Sequence, residues 1–515
     1  MTIAVPLRQP VWQSIARHPV AVPSTIALAA AAAFVAVRPA VGDLWAALAR
    51  QSATVHGVGL TYWFGWFGGG ATPGGYSVLT PFLSAALGSV LLGALATAAI
   101  APLCWRLVRG TAHPAAATWV AVITTGLSLW SGRIPYALGT AISILAFLAV
   151  RARRPVPAAL WAAVTVLVSP VSGAFIAFAL IGLAFKRSDY RRVSATTVLA
   201  AAASLGAVAM VFGSPGPEGF SATHAAVTAA ALVSMLACRP QRQVRTVIMM
   251  SIAVCPLLVL IPNGLGSNFQ RFVWVCLPVA VVATAVTRLP TAVLASGIAI
   301  FAGAHGTFTD LSVARSPMSS PAYYAPLAAE LDTIGSLTNY RLEAVPDGTH
   351  TGSYALLTHA MLARGYETQA DNALNAILMS KTTLNAVTFK VWLDNNAVGY
   401  VAIGKTALHP SPEFTLVSAS TPAYLSKVWA SADWTLYRVE HPSSIVAAPA
   451  VIVDAEQARL EISVPNAGAL PVRVRWSKFL KVQAPANVDG ATVRDDGSGW
   501  TTLTAPAPGL YILHG

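Results

Sequence analysis

A single carboxylate stands where the first long apolar run of this sequence ends. Asp43 is one of three acidic residues among the first 305, together with Asp189 and Glu218, whereas the same stretch contains 19 lysines and arginines. A carboxylate at the mouth of a membrane helix can take the proton of a hydroxyl group, so Asp43 is a candidate general base. Because Asp also caps helices, the structural alternative is that Asp43 is the N-cap of a helix beginning at Leu44.

Two arginines are predicted on the same side of the membrane as this carboxylate. Arg133 and Arg271 each lie beside an apolar segment. Guanidinium groups bind phosphate through paired hydrogen bonds, so the two are candidates for a phosphate site, to which Asn268 can add a hydrogen bond. In the alternative interpretation the arginines only extend from helix ends to water, and Asn268 belongs to a turn. His56 and Glu218 are also predicted outside, either as substrate-binding residues or as loop residues.

The sequence lacks the motifs that several other classes of enzyme and transporter need. The sequence contains no phosphate-binding glycine loop, no GxSxG nucleophile turn and no dinucleotide-binding fingerprint. A transporter that hydrolyses nucleotides is therefore disfavoured, and no spacing indicates a metal site. The net charge of +13 comes from the membrane half, so it does not predict a nucleic-acid partner.

The elements that must position these residues are long and apolar. Of 515 residues, 55% are hydrophobic and 10% are charged, and the mean hydropathy is +0.61, which indicates an integral membrane protein. One crossing needs about 20 apolar residues. Runs near that length predict eleven spans, at residues 20–38, 80–104, 114–131, 134–150, 155–170, 172–186, 193–213, 221–238, 245–262, 271–287 and 289–305. The pair around Pro170 can also form a hairpin of broken or half-depth helices.

The distribution of basic residues predicts the orientation of these spans. If the N-terminus with Arg8 and Arg17 is cytoplasmic, 15 of the 19 basic residues fall in cytoplasmic connections. An odd number of spans then places everything after residue 305 on the outer face. We therefore predict a multi-pass plasma-membrane protein with a cytoplasmic N-terminus and an extracytoplasmic C-terminal half.

The longest outer connection, residues 39–79, contains a dense aromatic cluster. Aromatic rings at the membrane interface often act as anchors, and we predict that role for Tyr62, Trp63, Trp66 and Phe67. The alternative is that they form a platform for a sugar or an isoprenoid chain.

The C-terminal half has the composition of a water-soluble domain. Residues 306–515 contain 14 basic and 17 acidic side chains. Helical patterns predict an α/β region at residues 306–410, and short alternating strands between turns predict a β-rich, sandwich-like region at 411–515. Trp434 and Trp476 are expected in its core. The predicted fold class is thus a polytopic α-helical membrane domain, residues 1–305, followed by an extracytoplasmic α/β region and a β-sandwich.

The order of these parts resembles the GT-C class of membrane glycosyltransferases, and in detail a family of actinobacterial GT-C-like membrane proteins. The similarity is carried by the segments PGGYSVLTPFL, WSGRIPYALG, VSPVSGAF, YYAPLAAEL, ARGYETQADNALN, VWLDNNAVGYVAI, ADWTLYRV, VRVRWSKFL and GWTTLTAPAPGLYILHG. It extends over nearly the whole chain, and ARGYETQAD is its most distinctive motif.

This resemblance implies transfer of a mannose- or arabinose-class sugar from a polyprenyl-phosphate donor to a cell-envelope glycan or lipid. Asp43 matches the acidic residue that the class uses as catalytic base. Arg133 and Arg271 become candidates for the donor phosphate, and Tyr76, in the first matched segment, for substrate binding. Many members carry a paired acidic motif, whereas Asp43 stands alone, and a divalent metal ion stays possible as a cofactor.

Two other functions remain open at the level of sequence. One is a non-catalytic scaffold or binding protein of envelope assembly, in which Asp43 only caps a helix. The other is a secondary transporter or lipid flippase, which ranks lower because the predicted spans contain essentially no ionisable residues and no inverted repeat is visible. Convergence of the carboxylate and both arginines on one outer cavity would separate the enzyme from the scaffold.

Overall fold

The computed structural model describes residues 18–186, 188–214 and 216–515. Arg8 and Arg17, which support the predicted cytoplasmic N-terminus, lie outside these residues. The described chain consists of a helical half followed by a half that combines helices with β-sheets.

The helical half is built from apolar helices, several of which begin with proline. Proline fits the first turn because its missing N–H would have no partner there. The helices are α1 Ala21–Val37, α2 Gly42–Val55, α3 Pro73–Tyr76, α4 Thr80–Leu87, α5 Ser89–Ala98, α6 Ile100–Val108, α7 Pro114–Trp130, α8 Ile134–Arg151, α9 Pro155–Val168, α10 Pro170–Lys186, α11 Arg191–Phe212, α12 Ala222–Leu236, α13 Arg242–Leu260, α14 Phe269–Arg271, α15 Leu277–Thr284 and α16 Leu289–Ala314. A π-helical turn, Phe272–Cys276, joins α14 to α15.

A helix lies at each predicted span, although the helices differ in length. Within the described ranges, 5 helices are long and apolar enough to cross a membrane when α5 and α6 are counted as one helix, Ser89–Val108. The number rises to 6 if α1 and α2, which are bent by 70°, also count as one span. The shorter apolar helices are α7, α9, α10 and α12. The predicted hairpin consists of two regular helices, α9 and α10, joined only by Ser169 in extended conformation. Eleven crossings and their orientation remain a prediction.

The last membrane helix is longer than predicted. It was expected to end at residue 305, but α16 continues to Ala314. Leu311 and Ala314 in the added turns pack against the cluster that contains Leu44 and Ile134. The added turns therefore pack against the N-terminal ends of α2 and α8, and they bring polar side chains to that region.

Small residues allow the helices of the membrane half to pack closely. Ala117 and Ala121 on α7 and Ala137 and Ala141 on α8 are buried in one core cluster. Hydroxyl side chains on these helices bond to the preceding turn, as Thr118 does to the carbonyl of Pro114 at 2.9 Å. This arrangement suits a bilayer, where close backbone contact and satisfied polar groups hold helices together.

The C-terminal half begins with a mixed sheet covered by helices. The helices are α17 Pro321–Leu331, α18 Gly352–Ala355, α19 Thr368–Leu374, α20 Ala386–Asn395 and α21 Pro412–Ala419, and the strands are β1 Arg341–Ala344, β2 Val398–Gly404, β3 Leu425–Ala430 and β4 Trp434–Val439. The strand order is β1-β2-β4-β3, with β1 parallel to β2 and the other pairs antiparallel. The predicted division at residue 410 falls inside this sheet.

The remaining strands form two sheets around a shared apolar core. They are β5 Val451–Ala455, β6 Arg459–Val464, β7 Gly468–Arg475, β8 Lys481–Gln483, β9 Thr492–Asp495, β10 Trp500–Ala505 and β11 Gly509–His514, in the orders β5-β6-β11-β8 and β7-β10-β9. Alternate residues of β6 and β10 are buried, as expected for sheets with one inward face. Trp434, in the preceding sheet, is a core residue as predicted, whereas Trp476 is 41% exposed and the prediction for it was wrong.

The aromatic cluster of residues 39–79 is not at a lipid surface. Tyr62, Trp63, Trp66 and Phe67 are at most 3% exposed. They pack with residues of the C-terminal half, and the Trp63 indole donates to the Gln457 side chain at 2.7 Å. Both predicted roles, interface anchor and open platform, are therefore wrong. The rings join the two halves of the molecule.

Candidate active site

Asp43 lies in the first turn of α2 and does not cap it. The helix begins at Gly42 with Val41 as the N-cap, and no side chain makes a capping hydrogen bond there. The Asp43 carboxylate instead lies 3.3 Å from Nε of Arg133 and 3.6 Å from Nη2 of Arg271. The capping alternative is therefore wrong, and the predicted carboxylate and two arginines come together.

A tight turn between α7 and α8 brings Arg133 to this position. Gly132 adopts φ +80°, a conformation that favours glycine. A Cβ atom at Gly132 would lie only 2.5 Å from the backbone nitrogen of Leu44. The turn can approach the start of α2 this closely only because the residue before Arg133 has no side chain.

Arg271 is held by its backbone and by an aromatic ring. The hydroxyl of Tyr136 donates to the carbonyl of Arg271 at 3.1 Å, and the guanidinium lies 5.9 Å from the centre of the same ring. The π-helical turn that follows Arg271 departs from regular α-helix, a feature that is frequent at functional sites. The first turn of α8 thus presents Arg133 and also supports the second arginine.

A second carboxylate completes the charged cluster and was missed in the sequence. Asp310 on α16 lies 3.7 Å from Nη2 of Arg133. The prediction ended this helix at residue 305, although small and apolar residues continue at helical spacing beyond that point. Extending that pattern would have placed Asp310 within the last helix. Two carboxylates and two guanidinium groups now balance each other in charge.

This cluster lies in a cavity of about 680 Å³ between the two halves of the molecule. Three further predicted residues, Tyr76, Glu218 and Asn268, line the same cavity. His56 does not: it is exposed at the end of α2, where its ring bonds to the carbonyl of Ser52. The structure therefore assembles all of the predicted site residues except His56.

Glu218 and Asn268 belong to two loops that pack on each other. Ser267 donates to the Glu218 carboxylate at 2.8 Å. Burial raises the pKa of Glu218, while the Ser267 hydroxyl and Arg271 act in the opposite direction. A partly desolvated acid at the rim of the cavity is thus a second group able to exchange a proton.

The most distinctive motif of the sequence, ARGYETQAD, forms part of the cavity wall. Its Glu367 accepts a hydrogen bond from Arg50 at 2.7 Å, and both side chains are less than 10% exposed. Burial raises the pKa of Glu367, and Arg50 opposes this shift. The Arg50 guanidinium also stacks on Tyr76, 3.8 Å from the ring centre. Sequence reasoning did not assign Arg50 or Glu367 to the site, because nothing local relates residues 317 positions apart.

The C-terminal half covers the cavity with a stacked pair of rings. His350 and Tyr366 lie 3.7 Å apart between ring centres, and both line the cavity. Gly42 packs beneath them, since a Cβ atom there would lie 3.0 Å from the His350 ring. Loss of hydration lowers the pKa of His350 to about 4, so its imidazole is neutral near pH 7 and adds no cation to the site.

An apolar cavity of about 290 Å³ lies next to the site within the helical half. Tyr136 lines both cavities, and Phe175 and Phe272 are among the rings along the apolar one. Its walls come from α6 to α8, α10, α13 and the segment after Arg271. Two guanidinium groups, which are able to bind an anion, therefore lie beside an apolar cavity that suits a hydrocarbon chain.

The charged cluster does not fit a metal ion. Among the residues that the structure describes, no three His, Cys, Asp or Glu side chains come together as ligands. Asp43 and Asp310 already face guanidinium groups, which neutralise their charge and compete with a cation. We derive no step through a metal ion.

Comparisons with known proteins show a distant structural similarity. No protein-family profile and no curated protein sequence matches the chain. Among solved structures, the chain is similar to the arabinofuranosyltransferase AftD from Mycobacteria, with a TM-score of 0.47 and 15% sequence identity. The alignment covers 88% of this chain and 43% of that chain, so this chain spans less than half the length of its structural neighbour. The function is accordingly argued from the site itself.

Proposed function

We propose that this protein is a membrane glycosyltransferase that moves a sugar from a lipid phosphate to a hydroxyl group, with Asp43 as general base. The observation that carries the proposal is the position of Asp43 between Arg133 and Arg271, in a cavity that adjoins an apolar channel. An anion site, a base and a hydrocarbon channel are the parts that such a reaction needs.

The chemistry follows from these parts. Asp43 takes the proton of the acceptor hydroxyl, and the acceptor oxygen forms a bond to the anomeric carbon of the sugar. The bond between that carbon and the phosphate oxygen breaks, and its electron pair leaves with the phosphate. Arg133 and Arg271 stabilise the negative charge that develops on the leaving group. A single carboxylate suffices if the configuration at the anomeric carbon is inverted in one step.

The ion pairs of Asp43 give a reason for the order of events. In the structure the carboxylate is the partner of both arginines. A bound phosphate offers these guanidinium groups a stronger, bidentate partner. Asp43 then becomes free to accept a proton, so the base is activated by donor binding.

We assign the donor to the polyprenyl phosphates and the sugar to the mannose or arabinose class. The acceptor is a cell-envelope glycan or glycolipid that enters from the C-terminal half, on the outer face of the plasma membrane. The apolar cavity next to Tyr136 supports a prenyl donor, and the polar wall formed by ARGYETQAD supports a hydroxyl-rich acceptor.

The test is sugar transfer by purified protein, with polyprenyl-phosphate mannose and arabinose as donors and envelope extracts as acceptors. Asp43→Asn is expected to abolish transfer, a loss of at least about 100-fold, because amide nitrogen cannot accept the proton. Asp489→Asn, which changes an exposed carboxylate of the C-terminal half, is the matched control and is expected to retain full activity.

Equal turnover in wild type and Asp43→Asn would remove Asp43 as the base and direct attention to Glu218 or Asp310. If no donor supports transfer, the proposal that the protein is a glycosyltransferase is contradicted. The alternative of a non-catalytic scaffold protein is then favoured.

A further inference from the structure

A second polar chamber lies behind the two arginines, on the side away from the C-terminal half. Its volume is about 220 Å³, and Arg133, Arg271 and Ser267 line both this chamber and the main cavity. The other walls lie within the helical half, and they include Ser128 and Trp274. This chamber has no part in the mechanism described so far.

Several residues that line the chamber lie one or two helical turns along the chain from the charged residues. Ser128 precedes Arg133 on the chain, Trp274 follows Arg271, and Thr307 precedes Asp310. The elements that present the charged cluster therefore also line the chamber, so a group bound to the arginines lies at its entrance.

Two hydrogen-bond donors that line the chamber are unused. Within the described part of the chain, neither the Ser128 hydroxyl nor the Trp274 indole N–H has a partner, although both atoms are buried. Ser128 is 4% exposed. The neighbouring hydroxyls on α7 behave differently, since Thr124 and Thr125 both donate to carbonyls four residues earlier. A buried donor without a partner costs about 1–3 kcal/mol, so these two groups point to a ligand or to water.

Two other polar side chains at the chamber, Thr307 and Gln270, already have partners. Thr307 donates to the Leu127 carbonyl at 3.0 Å and accepts from Ser131 at 3.1 Å. The Gln270 amide donates to Thr228 at 3.1 Å. Ser128 and Trp274 thus offer a neutral O–H and a neutral N–H, which match the hydroxyl and ether oxygens of an uncharged ligand better than a second anion.

We propose that this chamber holds the ring of the transferred sugar while its phosphate is bound by Arg133 and Arg271. The inference rests on the proposed function and adds the residues that recognise the sugar. A volume of about 220 Å³ accommodates one monosaccharide ring, given that a water molecule takes up about 30 Å³ of liquid. The Trp274 indole supplies an apolar face for the C–H groups of the ring and an N–H for an oxygen.

Binding measurements separate sugar recognition from phosphate recognition. The probes are farnesyl phosphate and farnesyl-phosphoryl mannose or arabinose, titrated into the full-length purified protein. Ser128→Ala and Trp274→Phe are each expected to weaken binding of the sugar-bearing lipid about fivefold, the equivalent of one hydrogen bond of about 1 kcal/mol. The same variants are expected to bind farnesyl phosphate as wild type does, since the arginines are unchanged.

The control variants remove a buried hydroxyl or a buried indole N–H at positions away from the chamber. Ser296→Ala deletes another buried hydroxyl of a membrane helix, and Trp45→Phe deletes another buried indole N–H; neither group has a partner among the described residues. Neither residue lines the chamber. Both controls are expected to bind the two lipids as wild type does.

Each outcome has a distinct meaning. Selective loss of the sugar-bearing lipid in the chamber variants supports the inference. Equal affinity of wild type and chamber variants for both lipids, or equal loss for both lipids, overturns it and leaves the proposed function standing. A wild type that binds neither lipid overturns the proposed function together with the inference.

Discussion

The charge balance at Asp43 is the feature on which the function depends. Its side chain is 32% exposed and lies near two guanidinium groups, while Asp310, 38% exposed, lies 3.7 Å from Arg133. Pairs that are open to water to this extent add little stability, typically 0–1 kcal/mol. The main effect of these ion pairs is to position Arg133, because its guanidinium group lies between two carboxylates and is oriented by both.

Asp310 is predicted to be a positioning residue. Asp310→Asn should reduce kcat about 10-fold, the equivalent of about 1.4 kcal/mol, because Arg133 loses one of the two groups that orient it. The acidic limb of the pH–rate profile should still be present, since Asp43 is retained as the base. If this limb disappears in Asp310→Asn, then Asp310 and not Asp43 accepts the proton.

At the scale of elements, the site depends on how closely the α7–α8 turn approaches α2. Gly132 permits this approach through its positive φ and its missing side chain. The extension of α16 to Ala314 then supplies the fourth charged group from another direction. Three elements that are far apart in sequence therefore meet at one point, and each depends on the others for its geometry.

Gly132→Ala is predicted to separate Arg133 from Asp43. The added methyl group would lie 2.5 Å from the Leu44 nitrogen, so the turn must move away from α2. A displacement of about 1 Å costs on the order of 100-fold in kcat/KM. Gly126→Ala on α7, the helix that precedes this turn, is the control, because a methyl group there meets no atom within 4 Å. Unchanged activity of Gly132→Ala in the transfer assay would show that the contact does not position the site.

At the scale of the whole molecule, buried polar groups and aromatic rings join the two halves. The aromatic residues of the outer loop are enclosed by the C-terminal half, and Arg50 reaches across to Glu367. Deeper in that half, Arg364 contacts Glu343 at 2.7 Å and Glu413 at 3.0 Å. Burying two carboxylates beside one guanidinium is costly, so one of them is expected to retain a proton.

The stability of the protein is predicted to fall as the pH rises because of this cluster. Burial raises the pKa of Glu413 well above 4.5, the ordinary value, and nearby carboxylates raise it further despite Arg364. The folded protein therefore binds a proton that the unfolded chain has released, and raising the pH favours the unfolded chain. This contribution is fully present below pH 4.5 and is lost as the pH rises through the folded pKa.

Thermal unfolding in detergent at several pH values measures this effect. Glu413→Gln mimics the protonated form and is expected to flatten the decline in Tm above pH 4.5. Glu440→Gln, an exposed glutamate in the same half, is expected to leave the wild-type slope unchanged. If the Tm of Glu413→Gln declines with pH as steeply as that of wild type, then Glu413 does not retain the proposed proton in the folded protein.

Much of the helical architecture was predictable because long apolar runs have few other stable arrangements in a membrane. Helices occupy the predicted spans, and the sheets of the C-terminal half follow the predicted alternation of strands. The candidates Asp43, Arg133 and Arg271 were recognisable because charged groups are rare and costly beside membrane helices. Composition and local pattern carry this information without any knowledge of distant contacts.

The tertiary structure alone decided which polar groups share the site and which aromatic groups are hidden. Asp310 lies at the site because α16 packs onto α2 and α8. Arg50 pairs with Glu367, although the two residues are 317 positions apart in the sequence. The outer-loop rings were buried by a partner surface encoded far downstream. Burial and ion pairing depend on the distance between groups that the chain keeps far apart, and no local pattern contains that distance.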